Sequence, residues 1–185
     1  MIHTKRALGG VFVAPHHLAA QAGRDVLKEG GNAAEAMIAA AATIAVVYPH
    51  MNSIGGDGFW LLSEPGQAPI GIDACGKAAA KATRSFYTEQ GFDAIPNRGP
   101  LAALTAAGTV GGWSKALDIA QRWGGRLPTT RLMDNAVTHA REGVVVSSSQ
   151  ARLSKVKFDE LAHVPGFAEH MLIDQRAPLE GEVIR

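Results

Sequence analysis

The chain has 185 residues, 46% of them hydrophobic and 19% charged, the balance of a folded chain that buries one sizeable core. Its formal charge of +1 gives no electrostatic case for nucleic acid or an anionic membrane as partner. A single cysteine, Cys75, excludes an internal disulfide and a cysteine-rich zinc site.

The start, Met1-Ile2-His3-Thr4-Lys5-Arg6, is basic but leads into no long apolar run and no small-residue cleavage site, so no signal peptide and a cytoplasmic location are expected. Gly9-Gly10-Val11-Phe12-Val13-Ala14 predicts a short buried strand ended by Pro15. Leu18, Ala19, Ala22, Gly23, Val26 and Leu27 form one stripe of an amphipathic helix stopped by Gly30-Gly31. Asn32 followed by Glu35 has the form of a capping box. The helix it opens runs from 33 to about 47 and is apolar on every face from Ala36 onward, Thr43 excepted. A membrane span needs about 20 apolar residues, so this is read as a helix buried on all sides. Tyr48-Pro49 ends it.

Asn52-Ser53-Ile54-Gly55-Gly56-Asp57-Gly58-Phe59 follows, with three glycines in four residues. Such a loop suits a close approach of backbone to something, or is a tight helix-to-strand turn and nothing more. The runs 58–63 and 69–74, joined by Glu64-Pro65-Gly66-Gln67, predict an antiparallel hairpin with both faces covered, hence layered helices and sheets. From Ala78 the chain reads as irregular through Pro96 and Pro100. Trp113, Ala116, Leu117, Ala120 and Trp123 mark one helix, ended by Gly124-Gly125. Leu132, Met133, Ala136, Val137 and Ala140 mark another, ended by Gly143, with Pro128-Thr129-Thr130 as the cap signal. These two are expected to form a helical hairpin. Leu153, Val156 and Leu161 suggest one short helix, and the tail from Pro165 has no period.

Candidate chemistry is sparse. Cys75, at a strand end, is a nucleophile only if its thiolate is stabilised; otherwise it is a small buried hydrophobe. His16-His17 face different directions on a helix and make a poor metal pair, and no His-Glu-x-x-His spacing occurs. No metal or cofactor is expected. His50 beside the glycine loop is either functional or a satisfied structural histidine. Gly108-Thr109-Val110-Gly111-Gly112 lacks the lysine of a phosphate loop. Asp57 and Asp73 read as turn or cap acceptors.

Taken in order, several motifs resemble the start of the large subunit of gamma-glutamyltransferase-like enzymes. They are Gly30-Gly31-Asn32-Ala33-Ala34-Glu35-Ala36, Pro49-His50-Met51-Asn52-Ser53-Ile54-Gly55-Gly56-Asp57-Gly58-Phe59 and Ile72-Asp73, then Ala79-Ala80-Lys81-Ala82-Thr83, Gly108-Thr109-Val110-Gly111-Gly112-Trp113, and Ala136-Val137 with Ala140-Arg141-Glu142-Gly143. The resemblance implies an N-terminal-nucleophile hydrolase of α+β class. Its fold is a four-layer αββα sandwich, incomplete in this chain alone, with residues 1–185 as one partial domain at the start of the large (alpha) subunit. It further implies a self-cleaving precursor whose small (beta) subunit begins with the nucleophilic threonine. That hydroxyl attacks an amide carbonyl, with its own α-amino group as base, and an acyl-enzyme forms. No catalytic residue is then expected in this chain. Its partners are the small subunit, the rest of the large subunit and a small-molecule amide, and residues 1–185 alone are expected to fold poorly.

One departure bears on the substrate. Where gamma-glutamyl enzymes carry an Arg-Glu pair whose arginine grips the substrate α-carboxylate, this chain has Cys75 and Gly76. A thiol cannot replace a bidentate guanidinium, and losing such a contact costs about 1.5 to 3 kcal/mol, roughly ten- to a hundredfold in affinity. Lys77 is either a substitute positive charge or a surface lysine. Cys75, Gly76 and Lys77 are therefore the expected substrate-binding residues. The specific expectation is hydrolysis of a small carboxylated amide, with oxamate giving oxalate and ammonia. The alternatives are gamma-glutamyl hydrolysis or transfer, a cephalosporin-type acylase, a thiol nucleophile at Cys75, or a catalytically inert binding subunit.

Overall fold

The computed structural model describes residues 4–103 and 105–185. Helix α1 (His17–Lys28) buries the stripe read from the sequence, with Ala19, Ala22 and Val26 at 0% exposure. Helix α2 (Ala33–Val47) lies against it. Its capping box is formed: Asn32 Oδ1 accepts from the Glu35 amide at 3.0 Å, and Glu35 Oε2 accepts from the Asn32 amide at 2.8 Å. Glu35 is only 1% exposed. Its other oxygen accepts from the Leu127 amide at 2.8 Å, and Asn32 Nδ2 donates to the Ala120 carbonyl at 2.8 Å. The box that starts α2 therefore also anchors the turn between two later helices, α4 (Thr109–Arg122) and α5 (Thr129–Glu142).

Strands β1 (Gly58–Leu62) and β2 (Ile70–Ala74) form the expected antiparallel hairpin, with Trp60 opposite Ile72 and Phe59 opposite Asp73. A six-residue helix α3 (Arg84–Glu89), capped by Thr83, sits in the stretch expected to be irregular. After α5 come a two-residue strand β3 (Val144–Val145), then α6 (Ser148–Val156), α7 (Phe158–Leu161) and α8 (Phe167–Met171), and β4 (Val183–Ile184), which pairs antiparallel with β3. The core joins Val26, Ala36, Ile38, Ala39, Ala116 and Leu132. Alanine at so many of these positions lets backbones approach closely, and full burial of Leu132 alone contributes about 1.5 to 3 kcal/mol.

Several expectations change. Residues 9–14 form no strand: exposure alternates as in one, with Val11 and Val13 exposed and Phe12 against Gly23, but no ladder partner lies beside them among the described residues. The hairpin is covered on one face only, since Phe59 and Leu61 are 72% and 80% exposed. Helix α2 is not buried all round; Met37 is exposed and Ala41, Ile44 and Ala45 border open space. Helices α4 and α5 do not form a hairpin, because each packs on α2 instead. Pro128 occupies the α5 cap without any side-chain bond. One expected C-terminal helix is two, α6 and α7, and α8 and β4 fall in the tail read as aperiodic.

Glu35→Ala is expected to lower stability by about 2 to 4 kcal/mol, because two amides lose their acceptor inside the structure; urea unfolding of the whole protein measures it.

Candidate functional site

Three segments distant in sequence meet at the end of the hairpin. The Gly56 carbonyl accepts from the Gly108 and Thr109 amides, each at 3.0 Å, and from Thr109 Oγ1 at 2.7 Å. The N-terminus of α4 is thereby docked on the glycine loop. Next to it, Asp57 Oδ1 accepts from the Gly76 amide at 2.9 Å and from Thr105 Oγ1 at 3.4 Å. Asp73 Oδ1 accepts from the Cys75 amide at 2.9 Å, and the Lys77 carbonyl accepts from the Ala106 amide at 3.0 Å.

Two glycines make this crossing possible. A Cβ on Gly76 would sit 1.5 Å from the Ala106 carbonyl oxygen, and one on Gly108 would sit 2.1 Å from that of Ala74. Backbone here runs against backbone with no room for a methyl group. Gly56, in contrast, faces open space, and a Cβ on Gly55 would meet only Ser53 Oγ, at an ordinary contact distance of 3.8 Å.

A groove of about 460 Å³ opens beside the crossing. Met37, Ala41 and Ile44 of α2 form one wall, and Trp60 and Trp113 are on the others, with Asn52, Ser53 and Asp57 at the glycine loop. Cys75, Gly76 and Lys77 do not line it; Asp57 bonds to Gly76 from the groove side. Cys75 and Lys77 are exposed, whereas Gly76 is half-buried and used by the fold.

The electrostatics disfavour a thiolate. The hydrogen bond to the Asp57 carboxylate pushes the Cys75 thiol up, and desolvation and the charges of Asp57 and Asp73 push the same way. Sγ also lies 3.8 Å from the Gly76 carbonyl. Asp57 is held below the usual carboxylate range, first by the Gly76 amide and then by Cys75 and Thr105. His50 is not fully satisfied: Nε2 lies 3.3 Å from Ser149 Oγ, while the buried Nδ1 has no partner among the described residues. His16 lies outside α1 as its cap, so the rings of His16 and His17 stack at 4.6 Å instead of diverging. No cluster of three metal-ligating side chains occurs among the described residues, and no helix there is long and apolar enough to cross a membrane.

The three segments that meet are those whose sequences pointed to one family, and the whole chain bears this out. The gamma-glutamyltranspeptidase family model matches residues 19–185. This chain belongs to that family. It is 53% identical to an oxamate amidohydrolase proenzyme of Klebsiella pneumoniae subsp. pneumoniae over 177 residues, covering 95% of this chain and 33% of that protein. It is 37% identical to a glutathione hydrolase-like proenzyme of Bacillus subtilis, covering 93% of this chain and 32% of that protein. The chain thus spans about a third of the length of these curated relatives. Its fold matches Helicobacter pylori gamma-glutamyltranspeptidase with a TM-score of 0.86 at 28% identity, over 98% of this chain and 52% of that one. It also matches a cephalosporin acylase from Bacillus halodurans with a TM-score of 0.79 at 30% identity, over 91% of this chain and 32% of that one. The fold is that of N-terminal-nucleophile hydrolases, present in this chain as an incomplete α+β domain.

The sequence reading identified Asp57 as an acceptor but not its partners, and it left Thr105 and the need for Gly108 unseen. The available signal was that Asp57, Gly76 and Gly108 each fall inside or beside a family-like motif.

Gly76→Ala and Gly108→Ala are each expected to cost about 3 kcal/mol or more, while Gly111→Ala, which meets nothing within 4 Å, is expected to gain about 0.5 to 1 kcal/mol; thermal melts of the whole protein rank the three. Because the Asp57 carboxylate raises the thiol, Asp57→Asn is expected to speed alkylation of Cys75 by iodoacetamide near neutral pH, as followed by mass spectrometry.

Proposed function

We propose that residues 1–185 are the first part of the large subunit of a self-processing amidohydrolase, one partial domain whose nucleophile is the N-terminal threonine of a separate small subunit. The substrate is a small carboxylated amide, and oxamate is the specific choice. In this reading the threonine hydroxyl attacks the amide carbonyl and the threonine amine takes its proton. Ammonia leaves with that proton, the oxalyl ester remains on the threonine, and water then releases oxalate.

The observation that carries the reading is the 53% identity to the oxamate amidohydrolase proenzyme across 95% of the chain. The Cys75-Gly76 pair agrees with it, since no guanidinium stands where the gamma-glutamyl enzymes grip an α-carboxylate. Cys75, Gly76 and Lys77 are proposed to border the substrate. Lys77, exposed at the crossing, supplies the positive charge that a small carboxylate needs. The acceptor-only surroundings of Cys75 speak against the thiol as nucleophile. The open outer face of the hairpin, with Phe59 and Leu61, suits cover by the remaining segments of the precursor. An exposed free thiol fits a reducing, cytoplasmic setting.

The test is ammonia release by the full-length protein. Oxamate is expected to be turned over and gamma-glutamyl-p-nitroanilide to be cleaved at least about tenfold less efficiently; Cys75→Ala is expected to stay active, and the co-purifying small chain to begin with threonine. Efficient cleavage of the gamma-glutamyl anilide with none of oxamate sinks the substrate choice, and a small chain lacking an N-terminal hydroxyl or thiol sinks the mechanism.

A further inference from the structure

Four imidazoles gather where α1 begins and α2 ends. His16 is 5% exposed, and its Nδ1 accepts from the Leu18 amide at 3.3 Å, capping α1. Only an unprotonated nitrogen makes that bond. The His17 ring stacks on His16 at 4.6 Å. Tyr48, just after α2, lies 5.9 Å from the His16 ring and 4.2 Å from the His50 ring. His139 of α5 lines, together with Pro49, a small cavity beside this stem. None of these four histidines has a carboxylate within 4.0 Å among the described residues, where the one such pair is His170 with Glu169.

We propose that His16 and His50, joined through the Tyr48 ring, form a proton-operated latch, in which neutral rings hold the start of α1 against the Tyr48-Pro49-His50 stem of the glycine loop and protonated rings release it. Protonating His16 turns the cap acceptor into a donor aimed at a donor. It also places a cation at the positive end of α1. A second charge on His50 meets the first with no carboxylate within 4.0 Å of either ring among the described residues. Burial holds His16 below the ordinary histidine range, with repulsion from His17, His139 and His50 adding to it; burial does the same for His50. The folded values lie below the unfolded value of about 6.5. The latch's contribution is therefore full above about pH 6.5 and is lost as pH falls through the lower folded values. The consequence reaches the groove, because Asn52 on its rim follows His50 by two residues.

Hydrogen–deuterium exchange of the full-length protein at about pH 7.5 and about pH 5.5, corrected for intrinsic exchange, tests this. Amides of residues 17–28 and 48–58 are expected to exchange roughly tenfold faster at the lower pH, with α4 unchanged. His16→Asn, which caps without titrating, is expected to abolish the acceleration in 17–28. His50→Gln is expected to abolish it in 48–58, and exposed His170→Asn to change nothing. The latch is overturned if the wild type shows no acceleration, if α4 accelerates equally, or if both His16→Asn and His50→Gln accelerate as the wild type does.

Discussion

The carbonyl of Gly56 receives three hydrogen bonds from the start of α4, and much of the site depends on that convergence. A helix N-terminus carries unpaired amides that need acceptors. Gly108, the cap of α4, offers no side chain for the purpose. The glycine loop supplies a backbone oxygen instead, so the loop and the helix satisfy each other. Residues 74–76 then have to pass under the same helix, and the absent side chains of Gly76 and Gly108 are what let them through. Asp57 fixes the register by holding the Gly76 amide.

Helix α2 provides the rigid side of the arrangement. Alanines at 0% to 4% exposure on the faces turned to α1, α4 and α5 place those helices close to its axis. The fourth face carries Met37, Ala41 and Ile44 and is left as a groove wall. The Asn32–Glu35 box ties the beginning of α2 to the α4–α5 turn through Ala120 and Leu127. Its end leads through Tyr48 and His50 into the glycine loop. One helix therefore connects the buried carboxylate, the groove and the histidine cluster.

Features set by local rules were legible in the sequence. The Asn32–Glu35 spacing gave the capping box and the bounds of α2, and the turn at Glu64-Pro65-Gly66-Gln67 gave the hairpin. What periodicity could not give was which neighbour each apolar face meets. The all-apolar run of α2 looked the same whether its last face met protein or a groove. The stripes of α4 and α5 looked like a pair although α2 lies between them. The run 9–14 had the alternation of a strand without the partner that makes one. The β3–β4 pair rests on contacts across some forty residues, which no window of local sequence contains. At the site, the family-like motifs were visible one by one. Their meeting at Gly56, Asp57, Gly76 and Gly108 is a property of backbone clearance, and a sequence records that only as scattered glycines.

The carboxylates at the crossing decide what chemistry its residues can offer. Asp57 and Asp73 each direct an oxygen to a backbone amide, of Gly76 and of Cys75 respectively. Both are thereby committed to holding the chain, and neither is placed as an acid or base. The hydrogen bond to Asp57, with desolvation and the two carboxylate charges behind it, pushes the neighbouring thiol up, which disfavours the local nucleophile as well. An anionic substrate at the proposed site would meet repulsion there unless a cation intervenes, and Lys77 is a cation on this segment. A single lysine is a point charge on a flexible stem, without the planar fork of arginine. It can hold a compact carboxylate but cannot fix the orientation of a long one. That difference in reach and geometry agrees with the proposed preference for a small carboxylated amide over a glutamyl chain, which itself rests on the likeness to the oxamate amidohydrolase proenzyme.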